Sequence, residues 1–140
     1  MMERKYQLVA WTENSADTEK ARLYLLPSLE SEVKASLFND LKAIHQEEYR
    51  SNGFISLDFA QRGIRAYENM ARFEILTGHF GTGIRYLFFA ARFCNGKLRH
   101  EFVRLCNEAL RLAKKYRRED VLNERTPKMI LEIYYDHVAA

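Results

Sequence analysis

Residues 82–94 constrain this chain more than any other stretch. They read Thr82-Gly83-Ile84-Arg85-Tyr86-Leu87-Phe88-Phe89-Ala90-Ala91-Arg92-Phe93-Cys94, apolar on nearly every side of a helix. A helix that is hydrophobic all round must be buried. The run falls far short of the ~20 residues that cross a bilayer, so its cover has to be protein. The pattern predicts a central helix wrapped by other helices.

The rest of the chain carries the same period. A first helix is expected from near Ser15 or Asp17 through Leu26, ended or kinked by Pro27. A second, about 29–50, has Leu29, Val33, Leu37, Leu41 and Ile44 on one stripe, with Glu32, Asp40, Lys42 and Glu47 opposite. Ser51-Asn52-Gly53 is its stop signal. A third helix fits residues 57–76, with Ser56 as N-cap. Gly63 weakens it locally, which is tolerable if a neighbour needs the space of the missing side chain. The apolar segment is the fourth, and Asn95-Gly96 breaks the chain after it. A fifth spans about 98–117, with Arg117-Arg118-Glu119-Asp120 as its close or a polar linker. The last has Thr126 as N-cap and Pro127 at the first helical position. The expectation is an all-α fold of about six helices in antiparallel hairpins, joined by short connections. Residues 1–14 form an N-terminal arm and residues 15–140 one domain.

Composition narrows the class. With 47% hydrophobic and 13% aromatic residues the chain is not disordered. Two cysteines do not make a disulfide scaffold, so Cys94 and Cys106 read as reduced core thiols. The N-terminus has a charged start but no apolar segment of signal-peptide length. A soluble, cytoplasmic protein with no membrane association is expected.

Residues 64–97 carry a recognisable packing pattern. Tyr67 is a bulky aromatic on the first helix of a hairpin, followed by Met70 and Ala71, then by Gly78 and Phe80 near the turn. Gly83, Leu87 and Ala90 follow on the second helix. In residue type and spacing this resembles a tetratricopeptide repeat. Glu74 departs from the usual Tyr, Asn95 from the usual Pro, and no second copy follows in register. The resemblance implies hairpins stacked in a superhelical arrangement, with small positions letting helices approach closely. It also implies a scaffold that binds protein or peptide.

Charge is unevenly spread. Residues 85–118 carry ten Lys/Arg and two Asp/Glu, a net +8 within a chain of +3. On the fifth helix Lys97, His100, Arg104, Arg111, Lys115 and Arg118 fall within an arc of about 60°. That arc is a candidate partner-binding face, for an acidic protein or for nucleic acid. Glu108 can pair with Arg104 or Arg111. The alternative is a solvated, partly salt-bridged surface. Arg85 and Arg92, seven residues apart, share a face, with Glu68 and Glu74 as candidate partners or with a groove for an anion between them. Phe88 and Tyr135 look surplus to one core and are further groove candidates. Such surplus is where a partner helix or a second copy docks, so a homodimer is possible in principle.

No motif names a reaction. The Gly78–Gly83 segment lacks the Lys-Ser/Thr of a phosphate loop and follows no strand. There is no Ser-centred nucleophile elbow. His45 and Glu48 stand three apart, but no Glu-x-x-His recurs as a dimetal bundle requires. Asp136-His137 has no nucleophile in its pattern. The reading is a non-catalytic interaction module, an adaptor or regulator for a protein or peptide, with no metal and no cofactor. The alternative is a small nucleic-acid-associated regulator that uses the basic helix face.

Overall fold

The computed structural model describes residues 27–51, 56–94 and 98–139. The expected N-terminal arm, the expected first helix, Gly53, Asn95, Gly96 and Lys97 lie outside the described residues. Among the described residues there are five α-helices and no strand: α1 (Pro27–Arg50), α2 (Leu57–Leu76), α3 (Phe80–Arg92), α4 (Arg99–Lys115) and α5 (Arg125–Ala139). A 3₁₀ turn, Glu119–Asn123, links the last two.

Local chemistry sets the boundaries. Pro27, expected between two helices, is itself helical. Ser56 caps α2 as expected, accepting a hydrogen bond from the Phe59 amide at 3.1 Å. α2 ends where Gly78 adopts φ 92°, a conformation L side chains rarely take. His79 N–H then donates to Glu74 O at 2.8 Å and Gly78 N–H to Ile75 O at 3.1 Å, which closes the last turn. α4 ends through the same pair of bonds, Arg118 N–H to Ala113 O and Arg117 N–H to Lys114 O, but with Arg117 at φ 54°.

Of the two alternatives for residues 117–120 the first holds: Arg117 and Arg118 close α4, and Glu119 and Asp120 open the 3₁₀ turn, which buries Val121 completely. One boundary differs from expectation. α5 begins at Arg125, so Thr126 is not its cap. Lys128 N–H donates to Glu124 O at 2.9 Å, and Pro127 is the third helical residue. Its missing donor costs nothing there, because first-turn amides have no partner within the helix.

Consecutive helices run antiparallel. Glu47 meets Arg62 and Lys34 meets Glu74 across α1–α2. Ala71 meets Gly83 and Gly63 meets Phe93 across α2–α3. Tyr116 stacks on Phe80 at 3.9 Å between centroids, at the foot of α3–α4. Asn107 accepts a hydrogen bond from Tyr134, and His137 sits against Phe102, across α4–α5. α3 touches α2, α4, α5 and the 3₁₀ turn, and Ile84, Leu87, Phe88, Ala90 and Ala91 are buried along it. The segment that is apolar on nearly every side is thus the centre of the core, as its sequence requires.

Missing side chains make the closest approaches. A Cβ on Gly83 would lie 2.8 Å from the Ala71 carbonyl oxygen and 2.7 Å from the Ile75 side chain. A Cβ on Gly63 would lie 2.7 Å from the Phe93 ring, so the helix-weakening glycine serves inter-helix packing.

Candidate functional site

An open groove of about 790 Å³ runs between α1 and α3, with α2 as its floor. α1 supplies Phe38, Lys42, His45, Glu48, Tyr49 and Arg50; α3 supplies Tyr86, Phe89 and Arg92. The α1 contributors Phe38, Lys42, His45 and Tyr49 recur every three or four residues. They form a second stripe beside the buried stripe of Val33, Leu37, Leu41 and Ile44. Tyr49 is 88% exposed and Phe38 45%, so the rings are offered to solvent rather than spent on the core.

Tyr67 is the floor. Its ring is buried and lies 5.5–6.1 Å from the rings of Phe93, His45, Phe89 and Tyr86, centroid to centroid. Its hydroxyl is hydrogen-bonded to His45 Nε2. Burial pushes the phenol pKa up, and Glu48 and Tyr86 add to that against the opposing Arg92 charge. Tyr86 is raised too, first by burial and then by Glu74. Both phenols therefore stay protonated and act as hydrogen-bonding groups at neutral pH. Arg92 Nη2 reaches Glu48 Oε1 at 3.7 Å across the groove, a loose pair that leaves donors for a ligand.

The basic stretch 85–118 is not a free basic surface. Arg104 is bidentate to Glu68 of α2 at 2.7 and 2.9 Å, and it also holds Glu101 at 2.7 Å. Arg111 takes Glu108 at 2.8 and 3.0 Å, which decides between that glutamate's two candidate partners. Arg118 takes Asp120 at 3.0 and 3.1 Å. Lys115 lies over the Tyr116 ring, and His100 is exposed. A shallow hollow of about 530 Å³ lies along this face, between Arg72 and the α4 residues His100, Arg104, Asn107 and Arg111.

The groove candidates read from sequence do not come together. Arg85 is bidentate to Glu124 at 2.7 and 2.8 Å, and Arg92 faces Glu48, so neither uses Glu68 or Glu74. Glu68 serves Arg72 and Arg104, while Glu74 faces Lys34 at 3.9 Å and His79 at 3.2 Å. Phe88 is fully buried and lines no groove. Tyr135 is 54% exposed, on α5. Only Arg92 belongs to the α1–α3 groove. Phe38, His45, Tyr49, Tyr67, Tyr86 and Phe89 were not read as site residues. The signal for the α1 set was the second stripe, which a search for one apolar face passes over.

Reactive groups are muted. Burial pushes both the Cys94 and Cys106 thiols up to about 12, so neither is a thiolate at neutral pH. Among the described residues no cluster of three His, Cys, Asp or Glu is placed to hold a metal ion. No described helix is long and apolar enough to cross a membrane. Comparison with protein-family models, with curated proteins and with solved structures found no match to this chain.

Proposed function

We propose that this protein is a non-catalytic interaction module of the tetratricopeptide-like kind, taking a peptide or helical segment of a partner in the α1–α3 groove. The observation that carries this reading is the groove itself: four rings reach it from two helices, around a hydrogen-bonded Tyr67–His45 floor. Aromatic rings bury much area at little entropic cost and dominate binding where they line a pocket. Lys42, Arg50 and Arg92 at its edges outnumber Glu48, which favours a segment with apolar anchors flanked by carboxylates. The close Ala71–Gly83 contact supports the repeat-like reading, because it joins the two small positions of the pattern. The α4 face contributes less, since Arg104, Arg111 and Arg118 already hold carboxylates.

A second reading rests on one observation. Tyr49 beside Lys42 and Arg50 is an exposed ring among cations, an arrangement that also suits stacked bases of single-stranded nucleic acid. Both readings are tested by a photo-crosslinking amino acid at Tyr49, with the same probe at Lys114 on α4 as control. One discrete protein adduct at Tyr49, absent at Lys114, is expected. A nuclease-sensitive adduct moves the function to nucleic acid, and equal labelling at both positions removes the groove from consideration.

A further inference from the structure

α5 carries an exposed face that is unfavourable in a lone chain. Arg125 and Lys128 stand in its first half, Glu132 at its centre and Asp136 in its second half, all exposed. Cations near a helix N-terminus and anions near its C-terminus oppose the helix dipole. Glu132 and Asp136 repel at i, i+4, and Arg125 and Lys128 at i, i+3, while Lys128 and Glu132 are spaced to attract at i, i+4. Among the described residues none of the four forms an ion pair, whereas Arg62, Arg85, Arg104, Arg111 and Arg118 all do. Interleaved with them are Met129, 49% exposed, and Ile133, 46% exposed. At 100° per residue these six side chains share one arc of about 140°, turned away from Ile130 and Tyr134 in the core.

We propose that this face binds a second copy of the chain, α5 against α5 in antiparallel array about a two-fold axis at residues 130–131. In that register Met129 meets Ile133 of the second copy, Arg125 meets Asp136, and Lys128 meets Glu132. The midpoints of all three pairings fall within one residue of each other. A two-fold contact uses the same patch twice, so the patch must be complementary to its own reverse. Basic residues first, acidic residues last and apolar ones interleaved meet that condition antiparallel and violate it parallel. The second copy also offsets the unfavourable terms: the dipole-opposed Arg125 and Asp136 face each other, and the apolar pair leaves water. This proposal concerns a different face from the groove and stands or falls independently of it.

One helix face buries less than the roughly 1,200 Å² of a standard interface, so the dimer is weak and is read by sedimentation equilibrium between about 10 and 500 μM in low salt. Four samples decide it. The native chain should approach twice the monomer mass. Arg125→Glu with Lys128→Glu makes the face wholly acidic, and Glu132→Lys with Asp136→Lys makes it wholly basic. Each variant alone should associate at least tenfold more weakly than the native chain, and an equimolar mixture should recover a dimer at least as tight. All four substituted positions are exposed, and unchanged circular dichroism confirms folding. A native chain monomeric throughout overturns the proposal. So do single-sign variants that self-associate as the native chain does, or masses that grow beyond the dimer, the signature of head-to-tail stacking.

Discussion

α2 meets its neighbours in two unlike ways. Against α3 it offers glycine and rings: Gly63 lies under Phe93, Tyr67 among Phe89, Tyr86 and Phe93, and Ala71 against Gly83. Against α4 it offers charge: Glu68 holds Arg104, and Arg72 completes the group at 3.0 Å. The first seam is apolar and dense around Phe93, Ala71 and Gly83, so salt and pH are expected to leave it alone. The second is half wet, and its charge pairs need Glu68 ionised. Apolar packing fixes distance, because interpenetration is forbidden and voids are costly. Charge pairs fix which helix faces which, but contribute modestly where water reaches them.

The largest expected effect lies in the dry seam. Phe93 is 1% exposed and edge-on to Phe59, with ring centroids 5.9 Å apart. Phe93→Ala should destabilise by about 3–5 kcal/mol, by losing transfer free energy and leaving a cavity over Gly63. Urea unfolding at low and high salt should give the same loss, and a salt-dependent loss would show the seam to be less dry than its contacts.

An intermediate effect belongs to the charged seam. Burial works to raise the Glu68 carboxyl, but the Arg104 and Arg72 guanidiniums outweigh it and hold the group below its ordinary 4.5. A depressed folded value stabilises fully above the unfolded value and is lost as pH falls through the folded one. Glu68→Gln should therefore cost about 1–2 kcal/mol at pH 7, the lower part of the range for charge-assisted bonds because the Arg104 side chain is 42% exposed. The cost should shrink as pH drops below 4.5, until variant and native chain converge. Melts at pH 7 and pH 3 test this, and a pH-independent difference would assign the effect to packing.

The smallest effect compares how α2 and α4 end. Both close with the same two hydrogen bonds, yet Gly78 occupies the left-handed position in one and Arg117 in the other. A side chain there costs about 1 kcal/mol relative to glycine. Arg117→Gly should thus stabilise by up to about 1 kcal/mol, and Gly78→Ala should destabilise by a similar amount, each read as a shift in thermal midpoint. Arg117→Gly with no gain would mean that the Arg117 side chain makes up the difference.

The limits of the sequence reading follow from the range of each interaction. Ser56 as a cap and the span 57–76 were legible because a cap and its helix are neighbours in sequence. The central position of α3 was legible because a helix apolar on nearly every side needs cover from several neighbours. The 3₁₀ turn was not, because Val121-Leu122 is too short an apolar pair to show a period, and its burial depends on distant helices. The basic arc on α4 was legible as an arc, and so was Glu108 as a partner for Arg111 three residues on, but the hold of Glu68 on Arg104 was not. Glu68 is 36 residues from Arg104, and Glu124 is 39 from Arg85. The groove is a sharper case, since its rings come from residues 38–49, 67 and 86–89 and meet only after α1, α2 and α3 have packed.

The sequence by itself determined the class, most helix boundaries and the identity of the central helix. These rest on periodicity, capping and turn conformation, which act within a few residues. Tertiary structure alone decided which carboxylate neutralises which arginine, which rings stay in water and where a groove opens. Those outcomes depend on which faces are left over once the glycine-lined seams have closed, a condition that no single stretch of the chain contains.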